Sequence, residues 1–232
     1  MQSIYNVAFV ALWLSMMVSS ATHAANILLF GGTRGVGLET ARILVARGDS
    51  VTAFVRPTSS RDGLEPLGVT FAVGDVLEPE SVQYAFVGST FDAVITSLGP
   101  VRGEGYTVDS VGTANVVDAS RRNNVSRFVM VSAIGVGSSK EAVPDQVYKI
   151  LEPSLISKKI AEDYLAGSGL SYTIVRPGGL DDGPATSDFH LTENPTGPFD
   201  RVNRAEVARL TVEALDSDGN SVGRIYHVAK DF

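Results

Sequence analysis

The sequence contains no cysteine, which excludes disulfide bonds, thiolate catalysis and cysteine-ligated metal sites. It also contains no run of lysine and arginine, and its formal net charge is -7. A nucleic-acid surface needs clustered positive charge against the phosphates, so this function is excluded as well. No spacing of histidine, aspartate and glutamate is typical of a metal site. Stability must therefore come from a hydrophobic core, which 44% hydrophobic residues in a chain of 232 allow.

The first 24 residues contain no aspartate, glutamate, lysine or arginine. They are apolar from Val7 to Val18 and end in Thr22-His23-Ala24, which resembles a secretory signal peptide cleaved before Ala25. The apolar run is too short to cross a hydrocarbon core of ~30 Å comfortably. Cleavage predicts export to the periplasm or the secretory pathway. An uncleaved anchor, or a start-site artefact with initiation at Met16 or Met17, remain alternatives, and without cleavage the protein is expected in the cytoplasm.

Beyond the leader, short apolar runs alternate with stretches of helical periodicity, the pattern of repeated β-α units around a parallel sheet. Such continuous apolar runs are typical of strands that helices cover on both faces. The runs predict seven strands: Asn26 to Phe30, Ser50 to Val55, Val69 to Val73, Ala93 to Ser97, Arg127 to Val131, Ser171 to Val175 and Arg224 to Val228. Since no linker or repeat interrupts this order, we predict one doubly wound α/β domain with a Rossmann fold over residues 25–232.

Three boundary signals refine this prediction. Gly48 is expected to cap the carboxyl end of the first helix, and Asn203 with Glu206 resembles a capping box at the start of the last helix. The segment from Asp181 to Val202 is rich in glycine, proline, aspartate and threonine and is too long for an ordinary connection. We predict that it is a substrate lid. Its His190 is interpreted as a solvated histidine, with a role as an acid as the alternative.

A glycine-rich turn, Gly31-Gly32-Thr33-Arg34-Gly35-Val36-Gly37, lies between the first predicted strand and the first predicted helix. In that position Gly31 allows a tight turn, Gly35 lets backbone amides approach a pyrophosphate, and Gly37 permits close packing of helix on strand. The helix N-terminus adds positive potential. The turn therefore predicts a dinucleotide site, with a glycine turn that binds no ligand as the alternative.

The end of the second strand indicates which dinucleotide is bound. A carboxylate at that point would bind the adenosine ribose hydroxyls and repel a 2′-phosphate, but this chain has Arg56 there. Arg34 in the glycine turn supplies a second guanidinium, a group that matches phosphate geometry. NADP(H) is therefore predicted in preference to NAD(H). The alternative is that Arg56 is a solvated surface charge and Arg34 caps the turn.

Further segments extend the pattern along the chain: Gly74-Asp75-Val76, Ser97-Leu98-Gly99, Arg127 to Ala133, Lys158 with Glu162, and Ser168 to Gly178. Together with the glycine turn they resemble the short-chain dehydrogenase/reductase superfamily, in its atypical NmrA-like NAD(P)-binding branch. The resemblance covers Asn26 to Phe232. With the turn and Arg56, it implies these cofactor-binding residues: Gly31, Thr33, Arg34, Gly35, Val36, Gly37, Arg56, Asp75, Val76, Ser97, Leu98, Gly99, Ser132, Lys158, Pro177 and Gly178. Helix-mediated dimers are common in the superfamily, so monomer and homodimer both stay open.

Members that transfer hydride to or from a carbonyl use a serine, a tyrosine and a lysine, the last two as Tyr-x-x-x-Lys. The resemblance places Ser132 and Lys158 on the serine and the lysine. However, Ser154 stands where the tyrosine is expected, and Asp109 replaces an asparagine. The catalytic set is therefore incomplete at the position that normally protonates the carbonyl oxygen.

Two other tyrosines bear on this gap. Tyr226 and Lys230 form the chain's literal Tyr-x-x-x-Lys, but they fall on a predicted strand, so we interpret the match as chance. Tyr148 lies upstream of Lys158 and is the candidate catalytic tyrosine, with an amphipathic packing role as the alternative. Three functions follow: an NADP-dependent oxidoreductase of an unidentified small molecule, a non-catalytic NADP(H)-binding redox sensor, and a structural or chaperone-like module.

Overall fold

The computed structural model describes residues 24–99, 107–194, 199–217 and 219–230. Residues 1–23 of the predicted leader lie outside them. The strands are β1 (Asn26–Phe30), β2 (Ser50–Val55), β3 (Thr70–Val73), β4 (Ala93–Thr96), β5 (Arg127–Val131), β6 (Tyr172–Arg176), β7 (Gly179–Asp181), β8 (Phe189–Thr192), β9 (Arg201–Asn203) and β10 (Arg224–Lys230). The α-helices are α1 (Gly35–Ala46), α2 (Pro79–Tyr84), α3 (Thr113–Arg122), α4 (Asp145–Ala166) and α5 (Arg204–Asp216). A π-helical turn over Val108–Gly112 leads into α3.

Eight strands form the main sheet in the order β3-β2-β1-β4-β5-β6-β10-β8. The first six follow the Rossmann order, and β10 continues the sheet parallel to β6. All seven predicted strands are in this sheet, each within two residues of its predicted ends. The predicted α/β Rossmann fold is confirmed, with β8 added as an antiparallel edge strand beside β10.

The core lies in two layers, one on each face of the sheet. Along β1, Ile27 and Leu29 join the layer that includes residues of α1 and α5, while Leu28 and Phe30 join the layer that includes residues of α3 and α4. All four side chains are fully buried. Because successive side chains of a strand point to opposite faces, a continuous apolar run is the pattern that a doubly covered strand requires.

The boundaries of the helices confirm one cap and correct another. Gly48 follows α1 with a φ of 97° and donates its amide to Val45 O at 3.0 Å, as predicted. Asn203 does precede α5, but it makes no side-chain capping bond. Its Nδ2 donates to Pro184 O at 2.9 Å, and the buried Glu206 carboxylate accepts the amide of Thr186 at 2.9 Å. The predicted capping box is therefore wrong, because both side chains bind the preceding loop instead of the helix end.

The segment predicted as a lid is built differently. β8 belongs to it, and the Phe189 side chain is buried in the core. His190 pairs with Ala229 in the sheet. β9 pairs in parallel with β7, and the two strands form a short ribbon. Residues 195–198 lie outside the described part of the chain. Part of the segment is therefore paired β-structure, and its role as a substrate lid stays a prediction.

Within the described residues, we find no helix with both the length and the apolar character needed to cross a membrane.

Candidate functional site

A cavity of about 530 Å³ lies at the carboxyl ends of the parallel strands. It spans the point between β1 and β4 where the strand order reverses, the usual ligand crevice of open α/β sheets. Every predicted cofactor-binding residue except Gly37 lines it. The residues that sequence reasoning missed are Phe54, Val55, Ser59, Val108, Val131, Ala133, Leu180, Asp182 and Arg204.

The glycine turn is held by two close backbone approaches. Gly31 has a φ of 80°, and a Cβ there would lie 2.3 Å from Ser97 O at the end of β4. A Cβ on Gly37 would lie 2.2 Å from Gly31 O. Gly37 therefore packs against the backbone of the turn and does not line the cavity, in agreement with its predicted packing role. Any side chain at either position would push the turn away from the sheet.

The start of α1 suits an anion. Its first turn contains no acidic residue, and the N-cap residue Arg34 makes no side-chain capping bond. The first amides of a helix lack partners within the helix, and the helix dipole adds positive potential at that end. With Gly31, Thr33, Gly35 and Val36 all lining the cavity, these amides form a cradle that fits a dinucleotide pyrophosphate.

The adenosine end of the cavity carries positive charge and hydroxyl groups. Arg56 directly follows β2, and both it and Ser59 line the cavity beside Arg34. Asp75 and Val76, which follow β3, line it as well. The Asp75 carboxylate accepts the amide of Leu77 at 2.9 Å, so it stabilises its own turn. This end of the cavity therefore combines two guanidinium groups with a serine hydroxyl.

Lys158 on α4 reaches the opposite end of the cavity through a buried ion pair. Its Nζ lies 2.9 Å from Asp109 Oδ1 and 3.2 Å from Leu98 O. The Asp109 side chain is 1% exposed, and within the described residues its Oδ2 has no hydrogen-bond partner. Asp109 at the asparagine position of the superfamily therefore places a carboxylate directly on the lysine ammonium.

Ser132, at the end of β5, belongs to a second buried network. Its hydroxyl donates to Glu162 Oε1 on α4. The same carboxylate accepts two bonds from Arg176, from Nε to Oε1 at 3.0 Å and from Nη2 to Oε2 at 2.5 Å. Because its hydrogen is given to Glu162, the Ser132 oxygen can only accept a hydrogen bond from a ligand. In this arrangement Ser132 cannot polarise a substrate carbonyl.

Neither of the two tyrosines considered above, Tyr148 and Tyr226, completes the catalytic set. Tyr148 lies in the first turn of α4, about 15 Å along the helix from Lys158, and its ring packs under Lys140 Nζ at 4.5 Å. It does not line the cavity. Tyr226 and Lys230 lie on β10, which confirms that their spacing is a strand pattern and not a helical pair. Ser154 lies on α4 one turn before Lys158.

The buried His227 predicts how stability depends on pH. It lies on β10 opposite Arg176, and burial, followed by the charge of Arg176, lowers its pKa to about 4. Between an ordinary pKa of 6.5 and about 4, the unfolded chain takes up a proton that the folded chain refuses. The neutral histidine therefore costs no stability above about pH 6.5, and the free energy of unfolding falls as pH drops from 6.5 to 4.

We expect this loss to approach about 3 kcal/mol at the acidic end. His227→Gln removes the titration, so urea unfolding at pH 7 and at about pH 4.5 should give a smaller loss for the variant than for the unaltered chain. Equal losses in the two proteins would contradict the assignment to His227.

Residues in and next to the ribbon of β7 and β9 also line the cavity. Leu180 and Asp182 line the cavity from the first half, and Arg204, the first residue of α5 after β9, lines it from the second. Arg204 Nη1 lies 2.7 Å from Asp182 Oδ1. The predicted lid segment included Asp182, but the sequence did not identify it as a cavity residue. Arg204 was missed as well, because the only signal at Arg204 was that it follows Asn203 of the predicted capping box.

A family model described as NAD(P)H-binding matches residues 31–218, from the glycine turn to the end of α5. The chain belongs to this NAD(P)H-binding family. The model therefore covers both halves of the cavity, including the ribbon.

Individual relatives of this NAD(P)H-binding protein have different names. An uncharacterized chloroplastic protein of Arabidopsis thaliana is 32% identical over 91% of this chain and 79% of its own. An uncharacterized sugar epimerase of Bacillus subtilis is 27% identical over 88% of this chain and 94% of its own. Among solved structures, the anaerobilin reductase ChuY of Escherichia coli O157:H7 is 27% identical, covers 88% of this chain and 97% of its own, and has a TM-score of 0.78.

Proposed function

We propose that this protein is an NADP(H)-dependent oxidoreductase that acts without a catalytic tyrosine. The observation that carries the proposal is the cavity itself, which joins an anion-binding glycine turn to a buried lysine, with arginine where an NAD site has an acid. Bound NADP(H) would supply or accept the hydride. Arg56, Ser59 and Arg34 would hold its 2′-phosphate, the glycine turn its pyrophosphate, and Lys158 its nicotinamide ribose.

The side chains at the lysine end orient the reactants in this proposal. Asp109 and Leu98 O hold the Lys158 ammonium at the cavity wall. The Ser132 oxygen accepts a hydrogen bond from a donor group of the nicotinamide or of the substrate. Since neither Ser154 nor Tyr148 is among the described residues that line the cavity, we infer that the proton that accompanies the hydride comes from water or from the substrate's own acidic group.

Turnover tests this proposal. The mature domain is incubated with NADPH and, in turn, with quinones, aldehydes, flavins and anaerobilin, the last because one structural relative is named for it. We expect the NADPH absorbance to decay with at least one acceptor class. Tight NADPH binding without turnover would support the second candidate function, a redox sensor. That candidate is favoured by the missing tyrosine and by the Ser132 hydrogen that Glu162 already accepts.

Cofactor preference gives a separate prediction. Arg56→Asp should raise the dissociation constant of NADPH about a hundredfold and lower that of NADH, because a carboxylate repels the 2′-phosphate and binds ribose hydroxyls. Titration calorimetry with both cofactors measures the effect. Arg61→Asp is the matched control, since Arg61 stacks on Phe71 and does not line the cavity. Unchanged selectivity in Arg56→Asp would contradict the preference for NADP(H).

We also propose that residues 1–24 are a leader removed before Ala25. The Ala25 nitrogen donates to Asp49 Oδ1 at 3.0 Å. After cleavage this nitrogen would be an ammonium group facing a carboxylate, so a chain that starts at Ala25 fits the fold.

A further inference from the structure

Arg204 is a cation of the cavity that no motif assigns. It lines the cavity from the start of α5, and its side chain lies over the glycine turn. A Cβ built on Gly35 would be 3.7 Å from Arg204 Cδ and 3.8 Å from Arg204 Nε. Gly35 begins α1, so the guanidinium of Arg204 lies beside the amides that form the anion cradle.

The present partner of Arg204 is weakly held. The Asp182 side chain is 94% exposed, and that of Arg204 is 31% exposed. An ion pair this open to water contributes little, since each charge is well solvated without the other. A pyrophosphate at the helix N-terminus offers two negative charges in a less exposed place. The guanidinium therefore gains by exchanging the carboxylate for the phosphates.

We infer that Arg204 binds the cofactor's pyrophosphate and that Asp182 holds Arg204 in place until the cofactor arrives. The inference rests on the proposed function and adds a residue to it. Asp182 directly follows β7 and Arg204 directly follows β9, the two strands of the ribbon. Release of Asp182 when Arg204 turns to the phosphates would couple cofactor binding to the β7–β9 ribbon.

The ribbon supplies its own control pair. Arg201 Nε lies 2.7 Å from Asp181 Oδ2. Asp181 directly precedes Asp182, and Arg201 lies three positions before Arg204. Neither Arg201 nor Asp181 lines the cavity. A substitution at Arg201 therefore removes the same charge from the same ribbon without touching the proposed phosphate contact.

The experiment measures dissociation constants by calorimetry for two probes, NADPH and adenosine 2′-monophosphate. The second probe carries the 2′-phosphate but no pyrophosphate. Arg204→Gln should weaken NADPH binding about tenfold and leave adenosine 2′-monophosphate within twofold. Asp182→Asn should strengthen NADPH binding about threefold, because the competing carboxylate is gone. Arg201→Gln should change neither constant.

Three results would overturn the inference. Equal effects of Arg204→Gln and Arg201→Gln on NADPH would remove any special role for Arg204. Equal weakening of both probes by Arg204→Gln would place Arg204 at the 2′-phosphate. A weaker, not stronger, NADPH complex in Asp182→Asn would contradict the exchange. If the unaltered chain bound no NADPH, the proposed function would fail first. Thermal unfolding without ligand checks that each variant is folded.

Discussion

Lys158→Met is expected to abolish NADPH turnover and to lower the free energy of unfolding by about 3–5 kcal/mol. Lys158 is the ammonium group at the lysine end of the cavity, and in the proposed function it holds the nicotinamide ribose. It is also the ion-pair partner of Asp109, whose carboxylate is almost wholly buried. Without the lysine, that carboxylate stays in the protein interior with no opposite charge, and its desolvation lowers the free energy of unfolding.

A second variant separates the two effects. Lys158→Met combined with Asp109→Asn removes both charges, so urea unfolding should recover most of the lost stability. Turnover should stay absent, because the ribose contact is still missing. Lys159→Met is the neighbouring control, since Lys159 pairs with Asp163 on the exposed side of α4 and should cost about 0.5 kcal/mol or less. A stable double variant that still turned over NADPH would reduce Lys158 to a structural role.

Arg176→Met is expected to destabilise the protein by a similar amount, about 3–5 kcal/mol. Arg176 makes a two-point contact with Glu162, and each side chain of the pair is 3% exposed. Removal of the guanidinium leaves the Glu162 carboxylate with the Ser132 hydroxyl as its remaining described hydrogen-bond partner. A single neutral donor does not offset the burial of a full negative charge.

The combination of Arg176→Met with Glu162→Leu should restore stability in urea unfolding, because the buried charge is gone. Arg201→Gln on the exposed ribbon is the control and should leave the free energy of unfolding almost unchanged, because water solvates both charges of its ion pair. Recovery in the double variant would identify the ion pair, and not the packing of the Arg176 stem, as the source of the loss. A double variant as unstable as Arg176→Met would contradict this.

The same double variant tests how Ser132 acts. Without Glu162, the Ser132 hydroxyl is released to donate into the cavity. If Ser132 serves as an acceptor in the proposed function, kcat/KM should fall although the serine is still present. If it serves as a donor to a carbonyl, kcat/KM should rise.

Local sequence patterns predicted the strands because each of the seven has its own apolar run. Such a run is typical of a strand in a sheet that helices cover on both faces. The glycine turn was equally local, since the tight approaches of Gly31 and Gly37 require glycine whatever else the chain does. The short β8 had no such signal. Phe189–Thr192 lies within a segment rich in turn-forming residues, and only its pairing with β10 makes it a strand.

The hydrogen-bond partners of some side chains were also predicted wrongly, because a second partner was available. Asn203 and Glu206 have the spacing of a capping box, but the loop at Pro184 and Thr186 approaches them and takes their hydrogen bonds. The capping-box spacing shows only which hydrogen bonds are possible between residues close together in the chain. The competing partner is about 20 positions away in the chain, so local spacing carries no information about it.

By itself, the sequence determined the Rossmann fold and the place of the dinucleotide turn, because strand burial and glycine conformation depend on residues close together in the chain. Only the tertiary structure decided which partners the side chains around the cavity have. Lys158 is paired with Asp109, the Ser132 hydroxyl donates to Glu162, and Arg204 lies over Gly35. Each of these contacts joins residues that are far apart in the chain. The partners come within reach of each other only when the chain has folded, so local sequence cannot indicate them.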